Sequence, residues 1–207
     1  MTLILEWVRQ RQLTLVLGIF FIVWYALQLA TLYLFGEEIA RYWFYFEQPP
    51  DAISPGMVLA PISHDLYTLT HIGFNLLLLL IAGGLTEPYI GKERIIIHVI
   101  GVGYLGILVA NSTIIIHHMW IIAGASVGIL SLWTYAGLNM RHRAGELMSG
   151  GISASAQGIE RLGAALLLGA IPLILIQETL LTDQVHSGHT IGVLFGFLYY
   201  GIESHFD

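Results

Sequence analysis

The sequence predicts an all-α, polytopic membrane bundle of six transmembrane helices. Three observations carry that expectation. Charged residues make up 11% of the chain and hydrophobic residues 56%, whereas a soluble domain carries about 25% charged residues. So few charges cannot cover a water-facing surface. The apolar residues are gathered in six runs, near the roughly 20-residue length that a helix needs to cross a bilayer. The runs are continuous, without polar alternation, which excludes a transmembrane barrel. Residues 1–207 therefore read as one membrane domain whose first partner is the lipid bilayer. The chain has no cysteine, so disulfides, thiol catalysis and zinc–thiolate sites are excluded. A net charge of −6 argues against nucleic acid. No cofactor or metal is expected.

The first span is Leu13–Phe35, too long for the core of a cleavable signal peptide. The others are Leu66–Leu85, Ile95–Ala110, Ala123–Leu138, Leu162–Ile176 and Val185–Ile202. Arg9 and Arg11 precede span one. Lys92 and Arg94 lie between spans two and three, and Arg141, Arg143 and Arg161 between spans four and five. Only Arg41 falls in a connection of the other set, so seven of the eight cations share one side. The positive-inside rule then puts both termini in the cytoplasm and the connections 36–65, 111–122 and 177–184 outside.

Two of those outer connections are unusually apolar. The first holds Tyr42-Trp43-Phe44-Tyr45-Phe46, Pro49 and Pro50, and reads as an interfacial anchor packed on the outer leaflet. In the second, Ser112–Trp120 is too apolar for a water-exposed loop. Span four is short: 16 residues rise about 24 Å, less than the roughly 30 Å core. The chain is therefore expected to dip into the membrane before span four, with Ser126 at the bottom of a depression. Irregular backbone is tolerated at such depth only against protein or a water-filled cavity.

Polar residues converge at that depth. Span two carries His71 and Asn75, four apart and so on one helix face. Span four begins near Ser126, and span six begins near His186 and His189. A lone membrane serine commonly bonds its own helix backbone, and a lone histidine or asparagine is often interhelical glue. Their coincidence at one depth favours a site, because ionisable groups within spans are costly and face the bundle interior. A serine nucleophile needs a base, and neutral imidazole is the usual one. The oxyanion that forms needs donors. Backbone N–H at the start of span four, His71 and Asn75 could supply them. Gly188, Gly192 and Gly196 recur every four residues in span six, and span four is rich in small residues. That pattern lets the two helices approach closely and brings His189 towards Ser126. Gly124-Ala125-Ser126-Val127-Gly128 also matches the nucleophile elbow of soluble hydrolases. That motif needs a preceding strand within a sheet, which this chain lacks.

Four separated pieces, in order, resemble the rhomboid family of intramembrane serine proteases. His71-Ile72-Gly73-Phe74-Asn75 looks like the family's H-x-x-x-N of span two. Gly83 to Gly91, with Glu87 between, looks like the turn that closes that span. Gly124-Ala125-Ser126 looks like the G-x-S of span four, and His189-Thr190-Ile191-Gly192 with Gly196 like the H-x-x-G-x-x-x-G of span six. The resemblance covers spans two to six. It implies a catalytic Ser126–His189 dyad without a third acid, and an oxyanion site from the Ser126 N–H, His71 and Asn75. It implies that Gly124 belongs to the serine turn and that Glu87 is structural, bonding within the cytoplasmic turn; Gly128, Gly192 and Gly196 support the site. The implied activity is cleavage of transmembrane segments of other membrane proteins. The sequence departs from the family's usual pattern at Val127, commonly glycine, and at Leu130, commonly aromatic. It also departs at His64, which precedes His71 by seven residues where five is usual.

Two rival readings use the same residues. A catalytically silent relative that binds membrane clients would share the fold; retention of Ser126, His189, His71 and Asn75 argues against it. A haem or metal protein could draw on His64, His71, His98, His117, His118, His186 and His189. However, His98 lies towards the opposite membrane face, and adjacent His117 and His118 point in different directions.

Overall fold

The computed structural model describes residues 2–47, 54–114, 121–122, 124–149, 154–180 and 187–206. They are overwhelmingly helical. The order is α1 (Thr2–Gln10), α2 (Gln12–Phe35), α3 (Glu37–Phe44), β1 (Phe46–Glu47), α4 (Gly56–Leu59) and a 3-10 turn at Ala60–Ile62. Then come α5 (Leu69–Ile90), α6 (Lys92–Ile96), a π-helical turn at Ile97–Val102, and α7 (Gly103–Ile114). The chain continues as β2 (Ile121–Ile122), α8 (Ser126–Ser149), α9 (Ala154–Leu180) and α10 (Ser187–Phe206). The only β pairing among the described residues is antiparallel, with Phe46 opposite Ile122 and Glu47 opposite Ile121. Among the described residues, α2 and α5 are long and apolar enough to cross a membrane.

The helices overrun the apolar runs that announced them. The run Ala123–Leu138 sits in a 24-residue helix that starts at Ser126 and reaches Ser149, which corrects the short fourth span. Hydropathy sees only the apolar part of a helix, and Arg141 and Arg143 simply continue it. Residues 66–68 precede α5, which runs on to Ile90. The connection 36–65 is not a plain loop but carries α3, α4 and the 3-10 turn. The expected dip over Ser112–Trp120 falls largely on residues 115–120, outside the described residues.

α8 is the central helix, packed by α5, α7, α9, α10 and the π turn. Every residue from Gly124 to Gly137 is buried. Leu79 of α5, Ile129 and Leu132 of α8 and Leu167 of α9 are wholly enclosed in one cluster. Around it, the polar groups that helices leave unpaired are satisfied by other helices. Pro88 has no N–H to give the carbonyl four residues back. That carbonyl, of Gly84, instead accepts from Arg11 Nε. The first N–H groups of a helix lack intrahelical acceptors. At α2 the Glu87 carboxylate supplies them, accepting from Leu13 N (2.9 Å) and Thr14 N (2.8 Å). The bonds of Glu87 thus leave its own turn and tie α5 to α2. At the same end, Glu203 of α10 accepts from Arg94 Nε (2.8 Å) and from the Tyr135 hydroxyl.

Glu87→Ala leaves two N–H groups of α2 without their charged acceptor. The expected loss is about 1.5–3 kcal/mol of stability, measured by unfolding in detergent. Unfolding identical to the native chain would mean that water replaces the carboxylate at no cost.

Candidate active site

The serine turn is shaped by a glycine. Gly124 has φ +150°, a conformation that side chains disfavour. Its N–H donates to Ala60 O at 3.0 Å, which anchors the turn to the 3-10 turn before α5. α8 then starts at Ser126, and its first backbone bond runs from Ile129 N to Ala125 O (3.0 Å). The first-turn N–H groups beside Ser126 therefore have no intrahelical acceptor and attract negative charge. Ser126 itself is buried, at 6% exposure.

α10 brings a histidine. His189 lies in its first turn, with Nε2 2.7 Å from Ser126 Oγ. The approach requires residues without a side chain. A Cβ on Gly192 would strike the Val127 carbonyl, and one on Gly196 would lie 2.6 Å from the Ser131 carbonyl oxygen. On an adjoining face of α8, Gly128 meets the carbonyls of His98 and Val99 in the π turn just as closely. Val127, where the family commonly has glycine, fills space that other glycines leave. Its two methyl groups point at Gly106 of α7 and Gly188 of α10. Leu130 is wholly buried in the core cluster.

α5 borders the same spot. A Cβ placed on Gly124 would lie 3.1 Å from Ser126 Oγ, 3.3 Å from His71 Cε1 and 3.5 Å from His71 Nε2. The absent side chain therefore marks ground flanked by the serine hydroxyl and the His71 ring. His71 Nδ1 accepts the Asp65 backbone N–H at 3.2 Å. A neutral imidazole that accepts at Nδ1 carries its proton on Nε2, the edge turned towards Gly124. One helical turn along α5, Asn75 is 1% exposed and its Nδ2 has no hydrogen-bond partner. A buried, unpaired amide donor costs about 1–3 kcal/mol, and it is the kind of group an anionic ligand would satisfy. Glu87, sixteen residues beyond His71 on α5, lies about 24 Å from it along the helix axis.

Four residues that the sequence did not single out as site residues support this end of α5. His64 is fully buried and neither ring nitrogen has a partner. Its ring meets Phe21 (5.3 Å between centroids), Tyr25 (6.3 Å) and His71 (5.8 Å) edge-on. Asp65 orders the start of α5, its carboxylate accepting from Tyr67 N and Thr68 Oγ1. Tyr45 Oη accepts Leu66 N–H (2.9 Å), and Gln28 binds the His64 backbone. Two of them offered a signal in the sequence: His64 stands seven residues before His71, and Gln28 is an amide in the middle of an apolar run. His98 stands apart, its Nδ1 2.8 Å from Ser131 Oγ. Among the described residues no three His, Asp or Glu side chains gather in a metal-binding group. His117, His118 and His186 lie outside the described residues. No known protein-family model matches the chain, and no curated protein sequence matches it.

Burial holds the His64 imidazole neutral and pushes it down from 6.5 to about 3, with His71 adding to the shift. A base depressed in the fold is protonated first in the unfolded chain. Its contribution to stability is therefore intact above 6.5 and is lost as pH falls towards 3, by up to about 1.4 kcal/mol per pH unit. Replacing His64 by Phe should flatten the fall in thermal stability between pH ~6.5 and ~4.5. Parallel curves for the two chains would remove His64 as the source.

Proposed function

We propose that this chain is an intramembrane serine protease of the rhomboid type, cutting peptide bonds in or near transmembrane segments of other membrane proteins. The observation that carries the reading is the 2.7 Å contact between Ser126 Oγ and His189 Nε2, made beside the His71 edge. The four sequence pieces that resemble the family supply those same residues.

The chemistry follows from the geometry. With its proton on Nδ1, His189 accepts the Ser126 hydroxyl proton at Nε2 as Oγ attacks the scissile carbonyl. The carbonyl oxygen becomes an oxyanion. The Ser126 backbone N–H, His71 Nε2–H and Asn75 Nδ2–H are its donors, ordered before the reaction begins. Collapse of the tetrahedral species breaks the C–N bond, and His189 returns its proton to the leaving amine. Water then attacks the Ser126 ester with the same base, freeing the acid and restoring the hydroxyl. In this reading Ser126 and His189 form a dyad without a third acid, as the family resemblance implies.

A bilayer suits the exterior of the molecule. Val16, Ile19 and Val23 on α2, Leu77 on α5 and Leu108 on α7 are large apolar side chains exposed on the surface; so are Leu162 and Leu173 on α9 and Leu194 and Leu198 on α10. Five helices turning apolar faces outward around a buried α8 support a six-span bundle. The cation asymmetry supports cytoplasmic termini and a site open to the extracytoplasmic side. Lipid-embedded proteins are then the substrates, reached from the side.

A fluorophosphonate probe should label the native chain and fail to label Ser126→Ala. Ser126→Ala and His189→Ala should each abolish cleavage of a transmembrane substrate while unfolding as the native chain does. Near-native turnover by either would sink the dyad. Asn75→Ala removes one donor and should raise the barrier by about 2.7–4 kcal/mol at most, seen in kcat rather than KM.

A further inference from the structure

A glutamine with no exposed surface sits in α2, far in sequence from the site. Gln28 is 0% exposed, and α2 around it is apolar. Both ends of its amide are used on one residue. Gln28 Oε1 accepts His64 N–H at 3.1 Å, and Gln28 Nε2 donates to His64 O at 3.2 Å. The His64 carbonyl belongs to the same peptide unit as the Asp65 N–H, and that unit is planar and rigid. Its oxygen is held by Gln28, and its N–H donates to His71 Nδ1 at 3.2 Å. One peptide plane is thus pinned at both edges, by α2 on one side and by α5 on the other.

We propose that Gln28 is a positioning residue for His71: it fixes the His64–Asp65 peptide plane so that an N–H, and not a carbonyl, faces His71 Nδ1. This role rests on the protease reading given above. The plane decides the tautomer. Facing an N–H, Nδ1 keeps its lone pair and Nε2 carries the proton. If the plane turned over, the carbonyl would draw the proton onto Nδ1. Nε2 would then present a lone pair to the oxyanion, and a donor would become a repulsive neighbour. Neighbouring bonds hold the flanking residues: Trp24 Nε1 donates to Ser63 Oγ (3.3 Å), and Tyr45 Oη accepts Leu66 N–H (2.9 Å). Among the described contacts, only Gln28 holds the carbonyl of the deciding plane.

The test compares Gln28→Met with Gln28→Glu in the full chain. Methionine matches the length of glutamine and forms neither bond. A buried carboxyl stays neutral in apolar surroundings, with one donor and one acceptor, so glutamate can form both. Nitrogen-15 spectra of histidine-labelled protein report the His71 tautomer, assigned by loss of the signal in His71→Gln. Q28M is expected to lose the Nε2–H form and on the order of 100-fold in kcat, with KM little changed. Q28E is expected to retain both the tautomer and the rate. A role in packing alone would be met by methionine and would leave the tautomer unmoved. If Q28M folds and keeps the Nε2–H form and native kcat, the positioning role is overturned and the protease reading stands. If Q28M does not fold, a folded Q28E that has lost the Nε2–H form overturns it equally. A native chain that neither cleaves nor takes the probe at Ser126 overturns the protease reading, and the positioning role with it.

Discussion

The closeness of α10 to the first turns of α8 is the constraint on which the site depends. A serine and a histidine on neighbouring helices meet at 2.7 Å only if the helices touch backbone to backbone. Gly192 and Gly196 permit that, because any side chain there would run into the carbonyls of Val127 and Ser131. In lipid, no water-driven force presses helices together, so close van der Waals contact has to do it. An adjoining face of α8 is held in the same way, with Gly128 against the π turn. Val127 shows how such packing tolerates change. Where the related pattern has glycine, a larger residue is matched by glycines opposite it at positions 106 and 188.

Close packing leaves the second requirement, that no backbone polar group be stranded. The chain meets it with side chains from distant segments. Glu87 serves the start of α2, Arg11 serves the carbonyl that Pro88 leaves idle, and Gln28 serves the stretch before α5. Each of these bonds also fastens one helix to another, so satisfaction of the backbone and assembly of the bundle are one process. The Asn75 amide and the His71 edge stand outside this pattern: Asn75 Nδ2 is a buried donor without a partner, and the half-buried His71 turns its Nε2 edge towards Gly124.

Much of this was legible in the sequence. The all-helical fold followed from continuous apolar runs, and the residues that meet at Ser126 followed from spacing along helices and from the order of the four motifs. Helix lengths were not legible, because hydropathy ends where Arg141 or Pro88 begins while the backbone hydrogen bonds continue. The elements inside 36–65 were also hidden: α3 and α4 are short, and tertiary contacts with Trp24, Gln28 and Tyr45 hold the stretch. The partners of Glu87 could not be read either. A carboxylate four residues from a turn glycine looks local, and only the fold reveals the N-terminus of α2 beside it. Gln28 and His64 escaped for a related reason, since their meeting at 36 positions' separation leaves no periodic trace.

The contact between Ser126 and His189 also spans 63 positions of sequence, and its second half belongs to the last helix. Chains are made from the N-terminus at about 5–20 residues per second. Several seconds of synthesis therefore separate the arrival of the hydroxyl from that of its imidazole. Throughout that interval the Ser126 hydroxyl is without the His189 ring that it meets in the finished fold. Chain order thus sets the order of events: the hydroxyl and the imidazole can meet only after α10 has been made and has packed on α8.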